Sequence, residues 1–197
     1  MNADAELSDA ILTGRAARGD ERAYAVIVAR YKVVLYRSIR RYVGDPNDAY
    51  DLLQQTYVSA WLALARYDTK RPLRSWLQAI ALNKCRDHGR KMKIRRLLSG
   101  VGSVEEAEHF PDQRLNAEGN LLREEQLRAL NMAIAGLPRQ LKEPLLLTVF
   151  GELSQAEAGQ QLGISAKAVE TRISRARRRL AELLDQTNET GEQHEDA

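Results

Sequence analysis

Residues 153–179 read LSQAEAGQQLGISAKAVETRISRARRR, and the fold class follows from how this run divides. Leu153-Ser154-Gln155-Ala156-Glu157 opens a short helix that reaches Leu162, Gly163-Ile164-Ser165 turns, and a second helix runs through Arg179 and onward. Gly163 permits the backbone conformation that a tight turn between helices needs, and Ser165 can cap the helix behind it. Val169 and Ile173 stand one turn apart and face inward with Ala176. The arrangement is a helix-turn-helix.

The opposite side of the second helix carries Lys167, Glu170, Thr171, Ser174 and Arg175, flanked by Arg172, Arg177, Arg178 and Arg179. Such a surface fits a recognition helix in the DNA major groove. Arginines on phosphates would supply most of the affinity, and contacts to base edges would set sequence preference. Glu170 is informative because a carboxylate accepts from a cytosine amino group yet is repelled by phosphate. The competing reading is a solvated basic face on an ordinary bundle. The coincidence of glycine, cap and inward apolar residues weighs against it.

Upstream of this motif, periodic helix begins at Leu121 and passes through Leu127, Leu130, Ile134 and Leu137, so the helical segment extends from there to about Leu184. Ser99 to Asn120 has no sustained periodicity; it holds Gly100, Gly102 and Gly119 among Glu105, Glu106, Glu108, Asp112 and Glu118, and reads as a flexible acidic linker. Beyond Asp185 the polar, acidic tail is expected to be disordered.

Before the linker a first domain is legible. From Asp20 to Val43 the residues Tyr24, Ile27, Val28, Tyr31, Val34, Leu35, Ile39 and Tyr42 recur at helical spacing, with Asp20 as N-cap and Gly44-Asp45-Pro46 as the stop. A second helix starts near Asn47 or Asp48; Leu53, Tyr57, Trp61 and Leu64 mark its buried stripe and leave Asp51, Gln54 and Gln55 toward solvent. Asp68 to Arg74 is polar and basic and contains Pro72, so it reads as a loop, with Ser75 capping a third helix. Trp76, Leu77, Ile80, Ala81 and Lys84 there interleave with Asn83, Arg86, Asp87 and Arg90, and the helix ends in Lys91, Lys93, Arg95 and Arg96. A short helix over Ser8 to Arg18 completes the domain.

The formal net charge of +3 understates the basic character, because Lys and Arg concentrate in two helices while the middle and the end are acidic. That pattern points to a polyanion. No stretch approaches a membrane span, and the first residues lack the basic start and apolar block of a signal peptide, so a cytoplasmic location is expected. Cys85 is the only cysteine. It stands three residues before His88, but His109 and His194 offer no matching cluster, so the expectation is a packed thiol and a surface imidazole rather than a metal site. With no nucleophile elbow and no phosphate-binding glycine loop, neither an enzyme nor a cofactor is expected.

Taken in order, these motifs resemble the extracytoplasmic-function group of the sigma-70 family over nearly the whole chain. Asp45-Pro46-Asn47-Asp48-Ala49-Tyr50-Asp51-Leu52-Leu53-Gln54-Gln55-Thr56 is similar to the family's polymerase-binding segment. Trp76-Leu77 through Ile80-Ala81, Asn83 and Asp87 is similar to its promoter-melting helix, and Leu137-Pro138 with Leu153 to Arg178 to its fourth region. The resemblance implies an all-α protein of two small helical domains, residues 1–98 and 121–185, joined by a linker at 99–120 and followed by a disordered tail at 186–197. It implies core RNA polymerase as partner, through the beta-prime clamp and the beta flap, with Asp51, Gln54 and Gln55 on the clamp.

Promoter DNA would be the second partner. Lys70, Arg71, Arg74, Asn83, Arg86 and Arg90 would act at the minus-ten element, where a base is extruded at a cost of a few kcal/mol that a shaped pocket must return. Lys167, Glu170, Thr171, Arg172, Ser174, Arg175 and Arg178 would act at the minus-thirty-five element. Trp76 reads as a core anchor beneath the loop. A cognate anti-sigma factor is also expected, since the chain shows only a short stretch before its first helix and a short acidic tail. Many relatives have glutamate where this chain has Gln55, and a larger aliphatic followed by alanine where it has Ala158-Gly159. That pair, with Pro144 in the preceding helix, predicts looser packing of the scaffold helix. The alternatives are a free-standing helix-turn-helix regulator, disfavoured because no dimerisation heptad is present, and a pure interaction protein, which would not need the basic face.

Overall fold

The computed structural model describes residues 6–99 and 119–195, with side-chain surroundings for 6–95, 97–98 and 126–185. Every regular element among them is helical, in keeping with the all-α expectation. In order these are α1 (Asp9–Ala16), α2 (Glu21–Val43), α3 (Pro46–Ala63) with a 3₁₀ turn over Leu64–Arg66, and α4 (Leu73–Ser99). There follow α5 (Gly119–Gly136), α6 (Arg139–Leu145) running into a π-helical turn over Leu146–Phe150, α7 (Gln155–Leu162) and α8 (Ala166–Glu195). The chain divides into two compact units, Met1–Ile39 with Asn47–Val104, and Arg40–Pro46 with Glu105–Ala197. The linker expected at 99–120 lies almost wholly outside the described residues.

In the first unit α2 buries Ala23, Ile27, Tyr31, Leu35 and Ile39, one residue every four, which is the core-facing stripe its periodicity predicts. Leu12 and Ala16 of α1, Leu52, Leu53, Tyr57 and Ala60 of α3, and Leu73, Leu77, Ala81 and Cys85 of α4 join that core. Burying each large aliphatic side chain contributes about 1.5–3 kcal/mol. Polar links fix the register. The Tyr24 hydroxyl donates to the Tyr57 carbonyl at 2.5 Å and the Tyr57 hydroxyl to the Val28 carbonyl at 3.2 Å, tying α2 to α3. Burial pushes the Tyr24 phenol up to about 12, so it stays protonated and donating at neutral pH. Trp61, placed in the buried stripe by its spacing, is half-buried with its ring 4.8 Å from that of Tyr24. Gln78 reaches the Ser38 hydroxyl at 3.4 Å from α4 to α2, and the Arg30 guanidinium and Tyr31 hydroxyl of α2 both donate to Asp9 of α1.

Helix ends follow local chemistry, though not always where the spacing put them. Asp20 does cap α2, accepting from the Ala23 amide at 3.1 Å, and Gly44 takes a φ of +89° just past its end. α3 begins at Pro46, one residue before the expected Asn47, because proline's fixed φ and missing amide suit the first helical position. α4 begins at Leu73, so Arg74 is helical rather than part of the loop and Ser75 is not the cap. Leu73 is 2% exposed, and its burial draws the first turn back to Pro72, whose carbonyl accepts from the Trp76 amide at 3.2 Å. At the other end α8 continues past Asp185 to Glu195. The tail expected to be disordered is therefore helical through that residue; it contains no proline, and adding a residue to an existing helix is far easier than nucleating one.

Candidate nucleic-acid interface

The helix-turn-helix rests on three local devices. Ser154 caps α7 in a capping box: its hydroxyl accepts from the Glu157 amide at 3.2 Å while the Glu157 carboxylate accepts from the Ser154 amide at 2.8 Å. Gly163 ends α7 in the left-handed region at φ +69°. The Ser165 hydroxyl accepts from the Ala168 amide at 3.1 Å and starts α8. A fourth device is Gly159. Its backbone carbonyl accepts from Ile164 at 3.0 Å, and a Cβ at this position would lie 2.7 Å from the Ile164 carbonyl oxygen. The expectation of looser packing at Ala158-Gly159 is thereby corrected, because the glycine allows a closer approach of turn to helix. Pro144 is fully buried and equally well accommodated. α6 stops one residue after it, and the chain widens into the π-helical turn in which the Gly151 amide donates to the Leu146 carbonyl at 2.7 Å.

Val169 and Ala176 are fully buried and Ile173 nearly so, in line with the inward face expected of the recognition helix. On the other side Lys167, Glu170, Thr171, Ser174, Arg175 and Arg178 are exposed, and Arg172 is half-buried. Lys167 Nζ stands 2.8 Å from Glu170 Oε2 and the Thr171 hydroxyl donates to the Lys167 carbonyl at 2.9 Å. An exposed pair of this kind is worth about 0–1 kcal/mol, so Glu170 can leave Lys167 for a base edge at small cost. Glu170 and Ser174 also line a groove with Gln155, the first residue of α7.

In the first unit Asp51, Gln54 and Gln55 are all exposed on α3, opposite buried Leu52, Leu53, Thr56 and Tyr57. The stripe continues through Val58 and Leu62, which are 59% and 76% exposed. Sequence reading passed over these two, because apolar residues on an amphipathic helix default to the core; their spacing from Asp51, Gln54 and Gln55 was the available signal. Lys70 and Arg71 are exposed in the turn before α4, and Arg74 sits half-buried in its first turn. Asn83 is exposed, with an Arg86 nitrogen 3.4 Å from its side-chain oxygen, and Arg90 pairs with Asp87. Trp76, expected as a core anchor, is only half-buried, its ring 4.9 Å from that of Tyr67. Cys85 is buried, while His88 is tethered 3.2 Å from Asp48 rather than free at the surface. Among the described residues no group of three metal-ligating side chains occurs, and no helix is long and apolar enough to cross a membrane.

A helix-turn-helix with an arginine-rich second helix, together with a helical unit bearing a cationic loop, defines an all-helical DNA-binding protein of two units. Its relatives narrow that class. The family descriptions Sigma-70 region 2 and Sigma-70 region 4 match residues 15–94 and 127–180. RNA polymerase sigma factor CnrH of Cupriavidus metallidurans is 38% identical over 93% of this chain and 98% of its own length. RNA polymerase sigma factor NccH of Alcaligenes xylosoxydans xylosoxydans is 36% identical over 89% of this chain and 94% of its own. The solved structure of CnrH in complex with the cytosolic domain of CnrY superimposes with a TM-score of 0.66 at 34% identity, covering 90% of this chain and 97% of that one. The chain belongs to the sigma-70 family, in its extracytoplasmic-function group. It is an alternative sigma factor, and the reading as a free-standing helix-turn-helix regulator is not favoured.

Proposed function

We propose that this sigma factor binds core RNA polymerase through the exposed stripe of α3, opens the minus-ten element with the turn before α4 and with α4 itself, and reads the minus-thirty-five element with α8. The observation that carries the proposal is the joint exposure of Asp51, Gln54 and Gln55 on one helix and of Lys167, Glu170, Ser174 and Arg175 on another, each set backed by a buried apolar face. The protein acts in the cytoplasm. Capture of core polymerase by the tagged chain, followed by run-off transcription from genomic fragments, tests the whole reading. Core enzyme that neither binds the chain nor gains new start sites from it would overturn it.

Within this scheme Arg175 distinguishes base reading from phosphate binding. Arg175→Ala is expected to lose about 1–3 kcal/mol of discrimination at one base pair of the upstream element. Transcription from promoters varied at each upstream position checks this, and an equal loss on every sequence makes Arg175 a phosphate contact. Asn83→Ala is expected to impair an intact duplex promoter more than one with a pre-opened bubble at the minus-ten element. Equal loss on both templates assigns Asn83 to folding or to strand capture.

A cognate anti-sigma factor restrains the protein by covering the α3 and α8 faces at once. Support comes from CnrH, solved as a complex with the cytosolic domain of CnrY. A partner that grips both units binds the second intramolecularly, which raises its affinity without new contacts.

A further inference from the structure

The turn between the 3₁₀ segment and α4 is tied together on both sides. The Arg71 amide donates to the Asp68 carbonyl at 3.0 Å, and the Lys70 amide donates to Asp68 Oδ1 at 3.0 Å. From outside the turn the Tyr67 hydroxyl donates to the Arg71 carbonyl, so that residue is held by both its amide and its carbonyl. The Tyr67 ring leans on Trp76, which stands in the first turn of α4. A short, exposed, polar stretch would otherwise sample many backbone conformations, at roughly 1–2 kcal/mol per residue to fix. Here four contacts fix it in the unbound protein.

The geometry points to Tyr67 as a positioning residue: a clasp, made by its hydroxyl on the Arg71 carbonyl, that holds the Asp68–Pro72 turn in the shape that receives an extruded base. The inference deepens the proposed function and rests on its reading of this turn. Its ring leans on Trp76 and its hydroxyl is engaged by backbone, so both ends of the side chain are committed to the turn and to the helix behind it. Burial, with Asp9 and Asp68 nearby, raises the Tyr67 phenol above its ordinary range, so the hydroxyl remains a donor throughout the physiological range. The Asp68–Arg71 ion pair, at 4.0 Å with both side chains more than half exposed, adds little. The hydrogen bonds define the turn.

The test uses the full chain with core polymerase and a single-stranded non-template oligonucleotide spanning the minus-ten element of a promoter mapped by run-off transcription. A companion series carries one abasic nucleotide at each successive position. Wild type should bind less tightly when one particular base is missing. Tyr67→Phe keeps the ring and removes the clasp, and should weaken binding of the intact strand about fivefold, the worth of one hydrogen bond. On the strand lacking that one base, Tyr67→Phe and wild type should bind alike. Asp68→Ala, which removes the bond to the Lys70 amide, should show the same base-dependent loss. A loss of equal size with and without the base, or no loss at all, overturns the clasp. Indifference of the wild type to every abasic position sinks the base-capture reading itself, and the clasp with it.

Discussion

Gly159→Val is expected to destabilise the second unit by about 3 kcal/mol, lowering its thermal midpoint by roughly 12–24 °C. The first added carbon alone would stand 2.7 Å from the Ile164 carbonyl oxygen and 3.4 Å from the Ala166 amide nitrogen and the Ser165 carbonyl carbon. These are backbone atoms of the turn itself, which cannot rotate aside as a flexible side chain would. Relief requires moving the turn, and the turn sets the angle at which α8 leaves α7. The site is also buried, so the two valine methyls meet packed surroundings. Gly159→Ala separates the contributions: it regains about 1 kcal/mol of helix propensity over glycine but keeps the 2.7 Å contact, for a net loss of about 1–2 kcal/mol. Circular dichroism melting of the full chain reads both. A valine variant that melts with the wild type would mean that the close approach is not needed. Transcription that depends on the upstream element should fall with stability in the order glycine, alanine, valine.

How far such features were legible in the sequence depends on how local their causes are. Gly163, Ser165 and the inward Val169 and Ile173 act within one turn of themselves, and the structure places them as their spacing predicts. The Asp20 cap and the Gly44 stop are of the same kind. Gly159 looked like a defect because its reason lies in a carbonyl that the chain brings back only after turning. The start of α4 was misplaced for a related cause: the polar run around Pro72 reads as loop, and only the burial of Leu73 in the core reveals that the helix has begun. The Tyr67 hydroxyl contact with Arg71 spans four residues, yet sequence supplies no sign that an aromatic before a polar turn will fold over it. On α3 the polar members of the exposed stripe were legible and Val58 and Leu62 were not. Charge announces a surface, whereas an apolar side chain at helical spacing announces a core.

Asp51→Lys is expected to weaken capture of core polymerase by at least about thirtyfold, the scale of a central interface residue worth 2 kcal/mol or more. Folding should be nearly untouched. Asp51 is exposed and lies beyond the first turn of α3, where the helix dipole acts most strongly on a side-chain charge, and lysine is a good helix former. Gln55 sharpens the test. It stands four residues from Asp51 on the same exposed face, and a glutamate there would set two like charges one turn apart, costing the helix about 0.2–0.5 kcal/mol. Asp51, Gln54 and Gln55 together present one carboxylate and two amides, so under the proposed reading Asp51 would carry the charge that these three offer the polymerase. Gln55→Glu should therefore tighten core binding modestly and make it more sensitive to salt, while Asp51→Lys with Gln55→Glu should recover only part of the loss, because the new carboxylate can pair with the lysine beside it instead of with the partner. Titration of core enzyme with each variant, at two salt concentrations, measures all three. Unchanged affinity in Asp51→Lys would remove α3 from the polymerase interface, and Val58 and Leu62 would then face some other surface.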